Sequence, residues 1–112
     1  MEDQAAKVAF VILSDDPARA IPGLVLAGRM KENRGVDVRL IFFGPGVRFA
    51  ASGEADEHLA TLRRVGVVPT ACQANVEQYG LNEQIGARPI ELLAAGAEIE
   101  SYAREGYTVV SF

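Results

Sequence analysis

One cysteine, one histidine and no tryptophan among 112 residues set the first limits on this chain. A lone cysteine cannot close an internal disulfide, so no covalent staple holds the fold. With a single histidine beside it, the four-ligand set of a structural zinc site is not expected, and no motif asks for a metal or another cofactor. No apolar run approaches the ~20 residues that span a bilayer, so no membrane partner is expected. The amino end, Met1-Glu2-Asp3-Gln4, is acidic where a secretory leader would be basic. These features point to the cytoplasm, where a thiol stays reduced. Basic residues are few: 11 Lys and Arg face 15 Asp and Glu, for a formal charge of −4, and only Arg63 and Arg64 are adjacent. Nucleic acid as the main partner is excluded, because it needs a basic stripe.

What is present is apolar residue, at 49% a high fraction for so short a chain. The length suits one domain over residues 1–112, with part of its surface hidden in an oligomer. Residues 7–14 (Lys-Val-Ala-Phe-Val-Ile-Leu-Ser) form a nearly continuous apolar run, as a strand buried on both faces would. Asp16 and Pro17 then read as helix cap and first helical residue. Ile21, Leu24, Val25 and Gly28 recur at helical spacing up to a stop at Asn33-Arg34-Gly35, with Pro22 expected to push the helix start later. Residues 36–43 read as a second strand running into Gly44-Pro45-Gly46. Ser52-Gly53-Glu54 opens a second helix with Ala55, Leu59, Leu62 and Val65 as its stripe, and His58 falls on its solvated side.

Residues 67–71 have the length and branching of a buried strand, and Cys72 closes it. Residues 73–79 favour a helix that Gly80 ends. Cys72 therefore falls at a strand-to-helix junction, where a helix dipole favours the thiolate, the nucleophilic form. A buried cysteine kept for packing is the competing reading of the same residue. Beyond it, residues 81–85 suggest a helical turn, 89–95 a short strand, 96–105 a helix and 107–112 a last strand.

Strands alternating with helices imply βαβ units, hence an α/β/α three-layer sandwich on a mainly parallel five-stranded sheet. Three strand ends then meet at one edge: Ser14-Asp15, Gly44-Pro45-Gly46 and Cys72. Gly44 and Gly46 let the loop backbone turn its amides toward an anion. Neither a dinucleotide nor a P-loop fingerprint is present.

Three segments carry a resemblance: Phe43-Gly44-Pro45-Gly46-Val47; Leu62-Arg63-Arg64-Val65-Gly66-Val67 leading to Ala71-Cys72-Gln73-Ala74-Asn75; and Ala95-Gly96-Ala97-Glu98-Ile99 leading to Glu105-Gly106-Tyr107. In order and spacing, the chain resembles the DsrE/DsrF-like family of small sulfur-relay proteins, which includes the TusD-type subunits. The resemblance implies an α/β/α sandwich assembled as homo-trimers or hexamers. It also implies a persulfide carried on the cysteine matching Cys72 between donor and acceptor proteins. Gly44, Gly46 and Asn75 are then candidates for shaping the pocket, and Arg48 for supplying charge. Gln73-Ala74-Asn75 departs from the alanine-rich run that follows the cysteine in TusD-type proteins.

Three functions compete on this footing. The leading one is a sulfur carrier, or sulfurtransferase-like protein, acting through Cys72. The second is a non-catalytic oligomeric module holding a small anionic ligand at the glycine loop. The third, a thiol peroxidase, is weakened by the lack of a second cysteine to resolve an oxidised sulfur.

Overall fold

The structure, a computed structural model, describes residues 5–112, so the acidic residues 1–4 lie outside the described residues. The elements run β1 (Lys7–Ile12), α1 (Pro17–Arg34), β2 (Asp37–Phe42), α2 (Gly46–Ala51), α3 (Asp56–Arg64), β3 (Pro69–Cys72), α4 (Gln73–Gln78), α5 (Asn82–Gly86), β4 (Glu91–Leu93), α6 (Ala95–Arg104) and β5 (Thr108–Ser111). Every pairing is parallel, in the order β4-β3-β2-β1-β5. This is the expected α/β architecture, with an all-parallel sheet. No helix among the described residues is long and apolar enough to cross a membrane.

The strand order decides the layers. The steps from β1 to β2, β3 and β4 all move in one direction, so right-handed crossovers put α1 to α5 on one face. The step from β4 to β5 crosses back over three strands to the far edge. The same handedness then sends α6 to the opposite face. The buried residues divide accordingly. Phe10, Ile12, Leu40, Phe42 and Ala71 pack with Leu24, Phe49, Leu59, Leu62, Val76 and Ile85 in the large cluster. Ala9, Val11, Ile41 and Cys72 pack with Ala95, Tyr102 and Tyr107 in the small one. One ten-residue helix thus serves a face of five strands, while five helices serve the other.

Local chemistry explains the boundaries. Asp16 caps α1, its Oδ1 accepting from the Ala18 amide at 3.0 Å, a contact of about 1 kcal/mol in typical helices. Pro22 does not delay the helix as expected. It sits inside α1, and the one carbonyl it leaves without a helical partner belongs to exposed Ala18. The second helix opens later than Ser52, at Asp56. Gly53 has φ +94° and the Ser52 hydroxyl accepts from the Glu54 amide, so the segment 52–54 is a turn. The sequence pattern also did not indicate α2, whose apolar residues Val47, Phe49, Ala50 and Ala51 are all buried.

Two glycines permit close approach. A Cβ on Gly23 would meet the Phe112 ring at 2.7 Å, so the bare backbone of α1 admits that ring, which also stacks on Phe10 at 5.9 Å. A Cβ on Gly46 would collide with the Ile12 carbonyl oxygen of β1. Gly28, by contrast, would place a Cβ 3.7 Å from Leu62, an ordinary contact. Gly46→Ala should therefore lower stability by about 3 kcal/mol or more, because rigid backbone cannot yield. Gly28→Ala should be neutral or stabilising by up to ~1 kcal/mol through helix propensity. Urea unfolding of both variants checks the contrast.

Candidate functional site

In a parallel sheet all strand ends gather at one edge, and a crevice forms where neighbouring strands send their connections to opposite faces. Here that place lies between β3 and β4. The chain leaves β3 into α4, in the five-helix layer, and leaves β4 into α6, on the other side. Cys72 ends β3, stands at the cap position of α4 and pairs in register with Leu93 of β4. The only cysteine therefore sits at the reversal point.

Its side chain turns away from α4. Cys72 is 4% exposed and packs in the small cluster with Ile41 and Ala95, where Phe43, Leu93 and Ile99 are only partly buried. Ala95 opens α6, whose cap residue Ala94 supplies no side-chain hydrogen bond. The positive end of α6 thus stands in the same cluster as the sulfur. This helix is the longer of the two that begin near Cys72, since α4 spans six residues.

The glycine loop is built differently from the expectation. The Phe43 amide donates to Ile12 O, Gly46 to Phe43 O, Val47 to Gly44 O and Arg48 to Pro45 O, at 2.9–3.1 Å. The Gly44 amide donates to Asn75 Oδ1 at 2.8 Å, with Gly44 itself at φ +57°. The expectation of spare amides facing an anion does not hold, because the chain uses each of them. Gly44 and Asn75 are brought into direct contact, tying the β2 loop to α4. Gly46 allows the loop to close on β1.

Arg48 extends from α2. Its guanidinium pairs with Asp15 at 3.3 Å and lies over the Tyr79 ring at 4.7 Å. Val47 beside it, and Tyr79, both pack in the large cluster, whereas Cys72 faces α6. Both side chains of the Arg48–Asp15 pair are about half exposed, so it contributes at most about 1 kcal/mol. Arg48, Asp15 and Tyr79 form a clasp over the five-helix side of the edge.

A family model matches residues 6–112, described as the DsrE/DsrF-like family. The chain belongs to the DsrE/DsrF-like family. Solved structures share its fold. A conserved protein of unknown function, BT1422 from Bacteroides thetaiotaomicron, superposes with a TM-score of 0.82 at 20% identity, covering 95% of this chain and 94% of its own. MTH1491 from Methanobacterium thermoautotrophicum, also of unknown function, gives 0.81 at 18%, covering 96% and 99%. The ychN protein from E. coli gives 0.77 at 18%, again covering 96% and 99%. No curated protein matches the chain.

Within this DsrE/DsrF-like chain the sequence pointed to the edge but not to every wall of the site. Leu93 entered only as a strand residue, and Ala95 and Ile99 only through a helix and a motif, none of them as neighbours of Cys72. Their approach to Cys72 depends on α6 crossing to the second face, which follows from strand order rather than from any local pattern. Asn75→Ala should cost about 1–2 kcal/mol, since it strands the Gly44 amide. Asn75→Asp, which keeps an acceptor oxygen, should retain most of that stability. Faster hydrogen exchange at the Gly44 amide in the alanine variant is the confirming measurement.

Proposed function

We propose that this protein is a sulfur-relay carrier acting through Cys72. The Cys72 thiolate attacks the outer, sulfane sulfur of a donor persulfide, forming a new S–S bond as the donor leaves as a thiolate. An acceptor thiolate then attacks the outer sulfur of the Cys72 persulfide. The carried sulfur moves on and Cys72 returns as thiolate, as in disulfide exchange. No cofactor takes part, and a cytoplasmic setting keeps the thiol reduced.

The observation that carries this reading is the position of Cys72 at the end of β3, beside β4 and the start of α6. A sulfur kept only for packing has no need of that place, whereas a persulfide anion gains from the positive helix end. The sulfur is buried in the single chain, in a cluster that the part-buried Phe43 and Leu93 border. Transfer therefore needs that cluster to open. Gly44, Gly46 and Asn75 shape the rim by holding the β2 loop, while Arg48, paired with Asp15, fixes the five-helix side of that edge.

The thin α6 layer bears on assembly. Val109 is 45% exposed, and its register with Ala9 places it on the α6 face. We read this face as the one on which copies associate into a homo-trimer or hexamer. Val109→Glu should then reduce the mass seen by light scattering to that of a single chain.

Exposure to a sulfane-sulfur donor should raise the protein mass by one sulfur atom, on a peptide containing Cys72. Cys72→Ser should gain nothing, and an equal gain there would sink the carrier reading. Phe43→Ala should speed alkylation of Cys72 by roughly ten-fold, because less cover must open. An unchanged rate would show that Phe43 does not gate the sulfur.

A further inference from the structure

The α6 face carries a second feature, separate from the sulfur. Beside α6 runs a cleft of about 470 Å³, a size suited to a small molecule. Thr70 of β3 lies in it, Glu91 and Leu93 line it from β4, and Glu98 and Tyr102 from α6. Arg39, Asp37 and Lys31 line it from β2 and the end of α1.

The charges there do not cancel. Arg39 is offset by Asp37: its Nε donates to the Tyr107 hydroxyl at 2.9 Å, that hydroxyl donates to Asp37 at 2.8 Å, and Asp37 lies 3.7 Å from the guanidinium. Glu91 and Glu98 take part in no ion pair among the described residues, leaving two free carboxylates against Lys31. Tyr102 is the independent observation. It is 2% exposed, and its hydroxyl, although Glu98 and Thr70 lie beside it, makes no hydrogen bond of good geometry among the described residues. Burial, and then the nearby Glu98 carboxylate, push this phenol well above its usual range, so it stays protonated. A buried hydroxyl without a partner costs about 1–3 kcal/mol, a cost that a ligand can remove.

The chemistry selects the ligand. An ammonium brings three N–H donors and no acceptor. It matches two carboxylates and a phenol oxygen, whereas a carboxylate or phosphate would add acceptors to a site already rich in them. We propose that this cleft binds a small primary amine, its ammonium held by Glu91, Glu98 and the Tyr102 hydroxyl. The cleft borders the Cys72 cluster through Leu93 and Tyr102 but takes no group from the sulfur, so Cys72→Ser should bind the amine as the parent protein does.

The test uses the full chain and three probes of similar size: 1,4-diaminobutane, n-butylamine and butyrate, with binding followed by amide chemical-shift titration. Both amines should bind and shift the amides of β4 and α6, and butyrate should not. Glu91→Gln and Glu98→Gln should each weaken amine binding by about ten-fold, as expected on losing a charge-assisted hydrogen bond. Tyr102→Phe keeps the ring and drops only the unpartnered hydroxyl. Its thermal midpoint should hold or rise without ligand, while amine binding weakens. Butyrate binding tighter than the amines, or amine affinity unchanged in all three variants, would overturn the proposal.

Discussion

The handedness of parallel crossovers is the constraint from which the rest of this molecule follows. It is a local steric preference, set by the twist of L-residue strands. Applied to the order β4-β3-β2-β1-β5, it distributes the helices five to one. That imbalance decides which core is thick and which is thin. It also decides where neighbouring strands part company, which is the place where Cys72 sits. The same thin layer leaves room for the cleft beside α6.

Around the sulfur, backbone geometry does more than charge. The β2 loop closes against β1 because Gly46 carries no side chain, and it is pinned to α4 through Asn75. With its amides turned inward, the loop is a wall rather than a cradle for anions. The ion pair of Arg48 and Asp15 adds little to stability but fixes the outer surface of the edge. The start of α6, rather than the loop, stands in the cluster that holds Cys72.

Much of this was legible in the sequence. The apolar runs of β1 and β2, the cap at Asp16 and the junction at Cys72 stand out because strand burial, capping and helix propensity are local effects. The three strand ends expected at one edge are there because every pairing is parallel. What was not legible depends on geometry at a distance. The residues of α2 follow Gly44 and Pro45 so closely that they read as loop, yet burial of Val47 and Phe49 makes them helical. The start of α3 moved because Gly53 takes a positive φ, which composition alone does not reveal. The face toward which Cys72 points, and the neighbours it packs with, depend on strand order, which no short motif encodes.

The place of β5 has a kinetic consequence. Val8 pairs with Thr108, so contacts along that flank of β1 join residues about as far apart as the chain allows. Loop-closure entropy rises only slowly with length, but it must be met before the distant contacts form, and topologies with distant partners fold slowly. During synthesis, the β1 flank has no strand to bond with until residue 111 has left the ribosome. Over that interval it is an open sheet edge, the kind of surface on which a nascent chain finds wrong partners.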